Sequence, residues 1–320
     1  MTPIYLTLSD LPQASNVAWL FPGQGAQHVD MGRDLYDEAP AARAVFDAAD
    51  AALGISLSSI CFDGPEGELT RTVNTQPALV AHGLAALAAA VEAGSITQRP
   101  AMMAGHSLGE YAALIAAGAI DFDDGLRLVR ERGRLMQEAC DSTPGTMAAV
   151  LGLEPDDLRA ICAQHGASVC NINAPGNITI GGTTGAVAAA SEAATETGAS
   201  RVVPLEVAGA FHTPLMAGAA TVMAVALEAA PFTDPAVPIV SNVTASPITS
   251  GAELASELTE QITKPVLWAD SVRAMLDSGA SSFIEFGPGR VLTGLVRRTE
   301  RSATLRNVAT AADARGDEAE

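Results

Sequence analysis

Two hydrophobic rhythms alternate along the chain. Short apolar runs punctuated by Gly and Pro mark buried strands, and longer Ala-rich stretches mark helices. After about sixteen residues that read as an arm, VAWLF (Val17–Phe21) is the first buried strand, and PGQGAQ breaks it into a loop. Residues 41–53 and 77–93 are helical stretches. AMMAGH, residues 101–106, is a second buried strand that runs straight into Ser107 and the helical segment LGEYAALIAAG. Another helix covers 123–140, with Asp123 or Asp124 near its start.

From 143 to about 207 the texture changes. MAAVLGL reads as a strand, PDDLRAICAQHG as a helix and ASVCNI as a strand; NITIGG, AVAAASEAATETG and RVVPLEV then read as strand, helix and strand. The order β-α-β-β-α-β is that of a ferredoxin-like split βαβ unit. TPLMAGAATVMAVALEAA returns to helix, PIVSNVT to strand, and SSFIEF to a strand that ends in GPGR before a last helix. Beyond about Asn307 the polar tail reads as mobile. The pattern predicts an α/β protein. Residues 1–142 and 208–320 form a larger α/β unit, and 143–207 form a small α+β insert.

Composition narrows the function classes. The 320 residues are 48% apolar and 17% charged, enough for a sizeable core. No apolar run approaches the ~18–20 residues of a membrane span. A net charge of −19 repels phosphate, so no nucleic-acid partner is expected. Lys264 is the only lysine, and the other cations are arginines. Cys61, Cys140, Cys162 and Cys170 are widely spaced, with no C-x-x-C pair and no zinc spacing, and read as reduced, mostly buried thiols rather than a metal site. The start, MTPIYLTLSDLPQ, lacks the basic residues and continuous apolar core of a secretory signal. The expectation is a cytoplasmic protein.

Gly105-His106-Ser107-Leu108-Gly109 is G-x-S-x-G between an expected strand and an expected helix, the setting of a nucleophile elbow. The sharp turn demands small neighbours, hence a glycine two residues to either side. It lifts Ser107 Oγ out of the sheet near a helix N-terminus, where the dipole favours a developing anion. A serine nucleophile needs a base. Among five histidines, His82 and His165 fall within or at the end of helices and read as structural, and His28 as a surface loop residue. His106 adjoins Ser107, so its side chain leaves the strand end on the other side; it suits lining a pocket better than acting as base. His212, in GAFHTPLM, follows a strand and precedes a helix that Thr213 can cap and Pro214 can open, which makes it the candidate base. Arg132 shares a helical stripe with Leu128, Leu135, Met136 and Ala139. A guanidinium there needs an anionic partner. That partner is either an internal carboxylate such as Glu110 or a substrate carboxylate gripped by the two-pronged geometry that Lys lacks. The glycines of GQGAQ (23–27) let backbone N–H groups approach a ligand. The loop lacks G-K-[ST], and Gly287, Gly289 and Gly294 do not form G-x-G-x-x-G, so nucleotide binding is not expected.

Five blocks in order, FPGQGAQ, GHSLGEYAAL, RERGRLMQEA, GAFHTPLM and EFGPGRVLTGL, give the chain a resemblance to the malonyl-CoA:acyl carrier protein transacylase family from about Val17 to Arg298. Acyltransferase domains of polyketide synthases share these blocks within much longer chains. The resemblance implies an α/β-hydrolase-like core with a parallel sheet and a ferredoxin-like insert. It also implies Ser107 as the acyl-carrying nucleophile, His212 as its base, and the Gln24 and Leu108 N–H groups as the oxyanion hole. Arg132 would bind the malonyl carboxylate, and the Gln261 backbone carbonyl would orient the histidine in place of a triad aspartate. Phe211 matches a position where polyketide relatives that choose malonyl carry Phe. The chain departs from the family in a longer N-terminal arm, in Ser241 beside Asn242 where some members have two asparagines, and in GAFH where polyketide malonyl domains have HAFH.

The implied activity is transfer of malonyl from malonyl-CoA to the phosphopantetheine thiol of an acyl carrier protein, serving fatty acid or polyketide synthesis. The cofactor would be carried by the partner and none bound permanently. The expected state is a monomer. Carrier proteins are acidic, so docking on this acidic chain calls for a local basic patch; Arg290, Arg297 and Arg298 around the C-terminal glycine loop are the candidates. The rival readings are an acyl-thioester hydrolase with the same Ser/His pair, a transferase for another acyl-CoA, and a non-catalytic carrier-protein scaffold.

Overall fold

The computed structural model describes residues 11–317. Ten strands are β1 (Val17–Phe21), β2 (Met102–Gly105), β3 (Thr146–Leu151), β4 (Ser168–Ala174), β5 (Asn177–Gly182), β6 (Arg201–Pro204), β7 (Ile239–Val240), β8 (Pro247–Ile248), β9 (Ser282–Phe286) and β10 (Thr304–Val308). They form two sheets. The larger has the order β10-β9-β1-β2-β7-β8 and is parallel except where β7 meets β8. Its central strand shows why VAWLF is apolar throughout. Trp19 and Phe21 lie on the face covered by the Thr72–Glu92 and Gly109–Ala116 helices, and Ala18 and Leu20 cluster on the other with residues of the Trp268–Asp277 and Val291–Thr299 helices. A strand covered on both faces loses the polar alternation of a half-exposed one. Because the strands run parallel, the loops after β1, β2, β7 and β9 leave from one edge of the sheet, where ligand sites of open α/β folds gather.

The smaller sheet has the order β4-β5-β3-β6 and is antiparallel throughout. The Pro155–His165 and Thr184–Glu196 helices cover it around Ile178, Ile180 and Val150. Its edge strand β4 is stitched to the rest of the chain by Ile172 N–H donating to Val266 O and Val266 N–H donating to Cys170 O, both at 2.9 Å.

Several expectations are corrected. Residues 1–10 of the expected arm lie outside the described residues, but its end is tied down: Gln13 bridges to Arg99, and Ala14 is buried. The tail is ordered from 308 to 317, because Val308 closes edge strand β10 and Thr310 and Asp313 form a reciprocal cap on the Ala311–Arg315 helix; residues 318–320 lie outside the described residues. Ala311 and Ala314 bury the inner side of that helix against the core. The strand expected over RVVPLEV stops at Pro204, and the one over PIVSNVT is only Ile239–Val240. The helix expected from Pro77 begins one turn earlier, at Thr72, where the Thr75 hydroxyl donates to Leu69 O and Arg71 O. The Leu254–Gln261 and Trp268–Asp277 helices were not expected.

Candidate active site

The elbow depends on its glycines. β2 ends at Gly105 beside Phe21 of β1, and the Gly109–Ala116 helix starts four residues later. A Cβ on Gly105 would stand 1.9 Å from the Gly109 carbonyl carbon, and one on Gly109 would stand 2.2 Å from Phe21 O. Only two hydrogen side chains let helix and strand meet this closely. Between them Ser107 sits at φ 53°, in the left-handed region that a tight turn imposes. Asn242, in the loop after β7, spans the turn: its Oδ1 accepts from Ser107 N–H and its Nδ2 donates to Gly105 O, both at 2.7 Å.

His212 arrives from the far end of the small sheet. Thr213 caps the short Pro214–Met216 turn that follows, and His212 itself adopts φ 59°. Its Nε2 lies 2.8 Å from Ser107 Oγ, and its Nδ1 lies 2.7 Å from Gln261 O. A carbonyl only accepts, so Nδ1 carries the proton and the Nε2 lone pair faces the serine. Gln261 closes the Leu254–Gln261 helix, where carbonyls have no partner in the following turn and are free for such a bond. Burial, followed by the positive charge of Arg132, lowers the His212 pKa to about 3, while the Gln261 carbonyl opposes the shift. The imidazole is therefore a neutral base across the physiological range.

Arg132 is 1% exposed. No carboxylate touches it among the described residues, so of the two partners the sequence left open, the internal bridge to Glu110 is not made. Its Nη1 donates to Gln76 Oε1 at 2.6 Å, and its Nη2 donates to Gln261 Oε1 at 2.9 Å and to Ser107 Oγ at 3.1 Å. Gly133 makes the Gln76 contact reachable, because a Cβ there would stand 2.7 Å from Thr72 O and push the two long helices apart. Burial lowers the guanidinium pKa, opposed by nearby Tyr111, Glu110 and Glu257.

A cavity of about 380 Å³ opens over this group. Gln24, Leu108, His106 and Phe211 line it with Ser107, Arg132 and His212. The Gln24 and Leu108 N–H groups donate to no other protein group among the described residues. Gly23 lets the Gln24 loop approach, since a Cβ there would stand 2.7 Å from His106 O. His106 points away from Ser107, with Nε2 3.0 Å from Asn173 Oδ1, and burial lowers its pKa. Arg290 precedes the Val291–Thr299 helix, whose first turns line the cavity, and Arg297 and Arg298 lie in its last turn. All three are exposed, outside the cavity, and free of ion pairs among the described residues. Sequence reasoning missed Gln76, the clamp role of Asn242, and the Glu110–Glu257 pair behind Gln261. Each acts through a partner on a remote element, which leaves no local spacing to read.

A nucleophile at an elbow, a neutral base on it, two free N–H groups and a buried cation can carry acyl transfer of a substrate that bears a carboxylate. The acyl transferase domain family matches residues 18–316. The malonyl CoA-acyl carrier protein transacylase of Bacillus subtilis (strain 168) is 45% identical over 292 residues, covering 90% of this chain and 91% of that protein. Among solved structures, the malonyl-CoA:acyl carrier protein transacylase of Xanthomonas oryzae pv. oryzae aligns with a TM-score of 0.90 at 40% identity, covering 95% of this chain and 98% of that one. A malonyl-transacylase in complex with a type II PKS acyl-carrier protein aligns with a TM-score of 0.89 at 38% identity, covering 95% and 99%. With a match along nearly its whole length, the chain belongs to the acyl transferase domain family.

Proposed function

We propose that the protein moves a malonyl group from malonyl-CoA to the phosphopantetheine thiol of an acyl carrier protein, through a malonyl ester on Ser107. One observation carries the reading: a buried guanidinium lies 3.1 Å from the Oγ of a serine that also meets a neutral imidazole at 2.8 Å. Malonyl places a carboxylate one methylene beyond its thioester carbonyl, so acylation at Oγ brings that carboxylate within reach of Arg132. As Oγ attacks, its proton passes to His212 Nε2. The carbonyl oxygen becomes an oxyanion on the Gln24 and Leu108 N–H groups, a contribution of roughly 3–4 kcal/mol by analogy with loss of one such donor. The C–S bond breaks, the CoA thiolate takes the proton from His212, and the ester remains. The carrier's thiol then gives its proton to His212 as its sulfur attacks the ester carbonyl. The C–O bond breaks, and Ser107 Oγ recovers the proton.

Intact-mass spectrometry after exposure to a panel of acyl-CoAs tests the proposal. One malonyl mass on the enzyme, mapped to Ser107, is the expected result; an equal label on Ser107→Ala refutes it. Malonyl-CoA hydrolysis measured beside transfer separates this reading from a hydrolase. An imidazole at its ordinary value would be ~97% protonated at pH 5. With His212 held near 3, the rate of ester formation at saturating malonyl-CoA is expected to stay within about twofold between pH 8 and pH 5. A tenfold fall across that range would assign the base elsewhere.

The carrier's docking surface is proposed at Arg290, Arg297 and Arg298. Arg127, Arg134, Arg159 and Arg273 are paired with acidic residues on their own helices, whereas these three have no ion pair among the described residues. Arg290→Glu is expected to raise the KM for carrier protein roughly 3–10-fold and leave the KM for malonyl-CoA unchanged. Equal shifts in both would remove Arg290 from the dock. The proposal includes a cytoplasmic monomer with a 143–207 insert forming one wall of the cavity. The insert's place in the cavity wall is supported by Asn171, Asn173 and Thr179, which line the cavity from the small sheet.

A further inference from the structure

Arg132 raises a problem of charge. A buried guanidinium with only neutral hydrogen-bond partners is costly, and a carboxylate bonded to it directly would occupy the place the substrate's carboxylate needs. The nearest acidic groups stand one side chain further back. Glu110 Oε2 accepts from Gln261 Nε2 at 2.5 Å, and Nε2 also donates to Ser107 O at 3.0 Å. With Nε2 held on that side, the same amide must turn Oε1 to Arg132. Behind Glu110 stands Glu257, whose Oε1 accepts from Ser241 Oγ at 2.9 Å and whose carboxyl is hydrogen-bonded to that of Glu110. Both glutamates are buried. Two carboxyl groups this close in the interior do not both ionise readily. Burial and the charge of Glu257 hold Glu110 well above the usual carboxylate range, and burial puts Glu257 at about 7.

We infer that Glu110 and Glu257 are positioning residues that hold the counter-charge of Arg132 at one remove, across the Gln261 side chain, so that the guanidinium is fixed in place while its free N–H groups stay open to a carboxylate on the acyl chain. The inference rests on the proposed malonyl reading. The pair carries at most about one negative charge near neutrality. It orients the Gln261 amide and competes with the substrate's carboxylate for Arg132 from behind, through space rather than by contact.

The double variant Glu110→Gln/Glu257→Gln keeps the acceptor oxygens and removes the charge, whichever carboxyl carries it. Steady-state kcat and KM are measured for malonyl-CoA and acetyl-CoA. The expected result is a KM for malonyl-CoA lowered roughly 3–10-fold, with the KM for acetyl-CoA unchanged. A merely structural pair would move both together, and that outcome, or no change in either, overturns the inference. The unmodified enzyme supplies an independent arm should the variant not fold. As pH rises from 6 to 8 the pair loses its shared proton, the charge behind Arg132 grows, and the KM for malonyl-CoA should rise by a similar factor while that for acetyl-CoA stays flat. The groups facing the pair are Tyr111 on its own helix, Glu260 and Gln261 beside Glu257, Arg132 from the long helix, Ser241 and Asn242 from the β7 loop, and His212 beyond Gln261. Of these, the tyrosine is pushed above its ordinary range by burial and His212 is already neutral. A flat KM for malonyl-CoA overturns the inference. Absence of a malonyl ester on Ser107 in the parent enzyme would instead overturn the functional reading.

Discussion

Ester formation at Ser107 is expected to fall by ~10⁴-fold or more in His212→Ala, with no comparable loss of fold. Among the described residues the imidazole is the only group in contact with Oγ that can accept its proton. The other contact, Arg132 Nη2, is a donor; it stabilises an alkoxide but cannot take up a proton. Without His212 the serine keeps the cation and the two N–H groups, so the residual rate reports electrostatic stabilisation alone. Two side effects need separating from this loss. The Gln261 carbonyl at the end of its helix loses its partner, and an alanine must adopt the φ of 59° at position 212. His212→Gly suits that backbone and controls for strain. Both variants should acylate at the same low rate, measured by the time course of the intact mass, and circular dichroism should show the parent secondary structure. A variant within tenfold of the parent would mean that His212 is not the base.

The parts of this site that were legible in the sequence are those where sterics demanded a residue type. Gly105 and Gly109 had to be glycine because a Cβ at either would enter backbone, and that demand is visible as G-x-S-x-G. Arg132 was visible as a cation within an apolar helical stripe, and it is buried. The pattern left its partner open, because both readings place a carboxylate near it. The structure answers with amide oxygens from Gln76 and Gln261 and with carboxylates held one side chain away. Gln261 was out of reach of any pattern argument, since a backbone carbonyl orients His212 and every residue type has one; only the family resemblance pointed to it. Asn242 stood out only as the neighbour of Ser241; its role comes from β7 ending two residues before it, which sets its amide across the elbow. The fold followed the same division. VAWLF and AMMAGH, covered on both faces, announced themselves as strands, whereas TLRNV did not. As β10 it sits at the sheet edge, pairs only with β9, and carries the polar positions of a strand with one open side. The Ala311–Arg315 helix was read as tail because its two buried residues are alanines, too small to mark an apolar face in a polar segment.

Arg132→Ala is expected to lower kcat/KM for malonyl-CoA by roughly 10³–10⁴-fold while that for acetyl-CoA changes less than tenfold. The asymmetry comes from what each acyl group does to the cation. A malonyl carboxylate gives the buried guanidinium a direct counter-ion. An acetyl methyl in the same place leaves it facing apolar surface, and sites built around a polar contact reject the analogue that lacks it by large factors. Alanine removes both the attraction for malonyl and the penalty against acetyl, so selectivity collapses mostly through the malonyl arm. Arg132→Lys retains the charge but not the fork. One ammonium cannot hold Gln76 Oε1, Gln261 Oε1 and Ser107 Oγ while also meeting a carboxylate, so part of the loss should persist. The variant will also be less stable, because two buried amide oxygens lose their donor, and melting curves must accompany the kinetics. Loss of fold lowers the two substrates alike. Only loss of the carboxylate clamp changes their ratio, and an unchanged malonyl-to-acetyl ratio in a folded Arg132→Ala protein would remove Arg132 from substrate recognition.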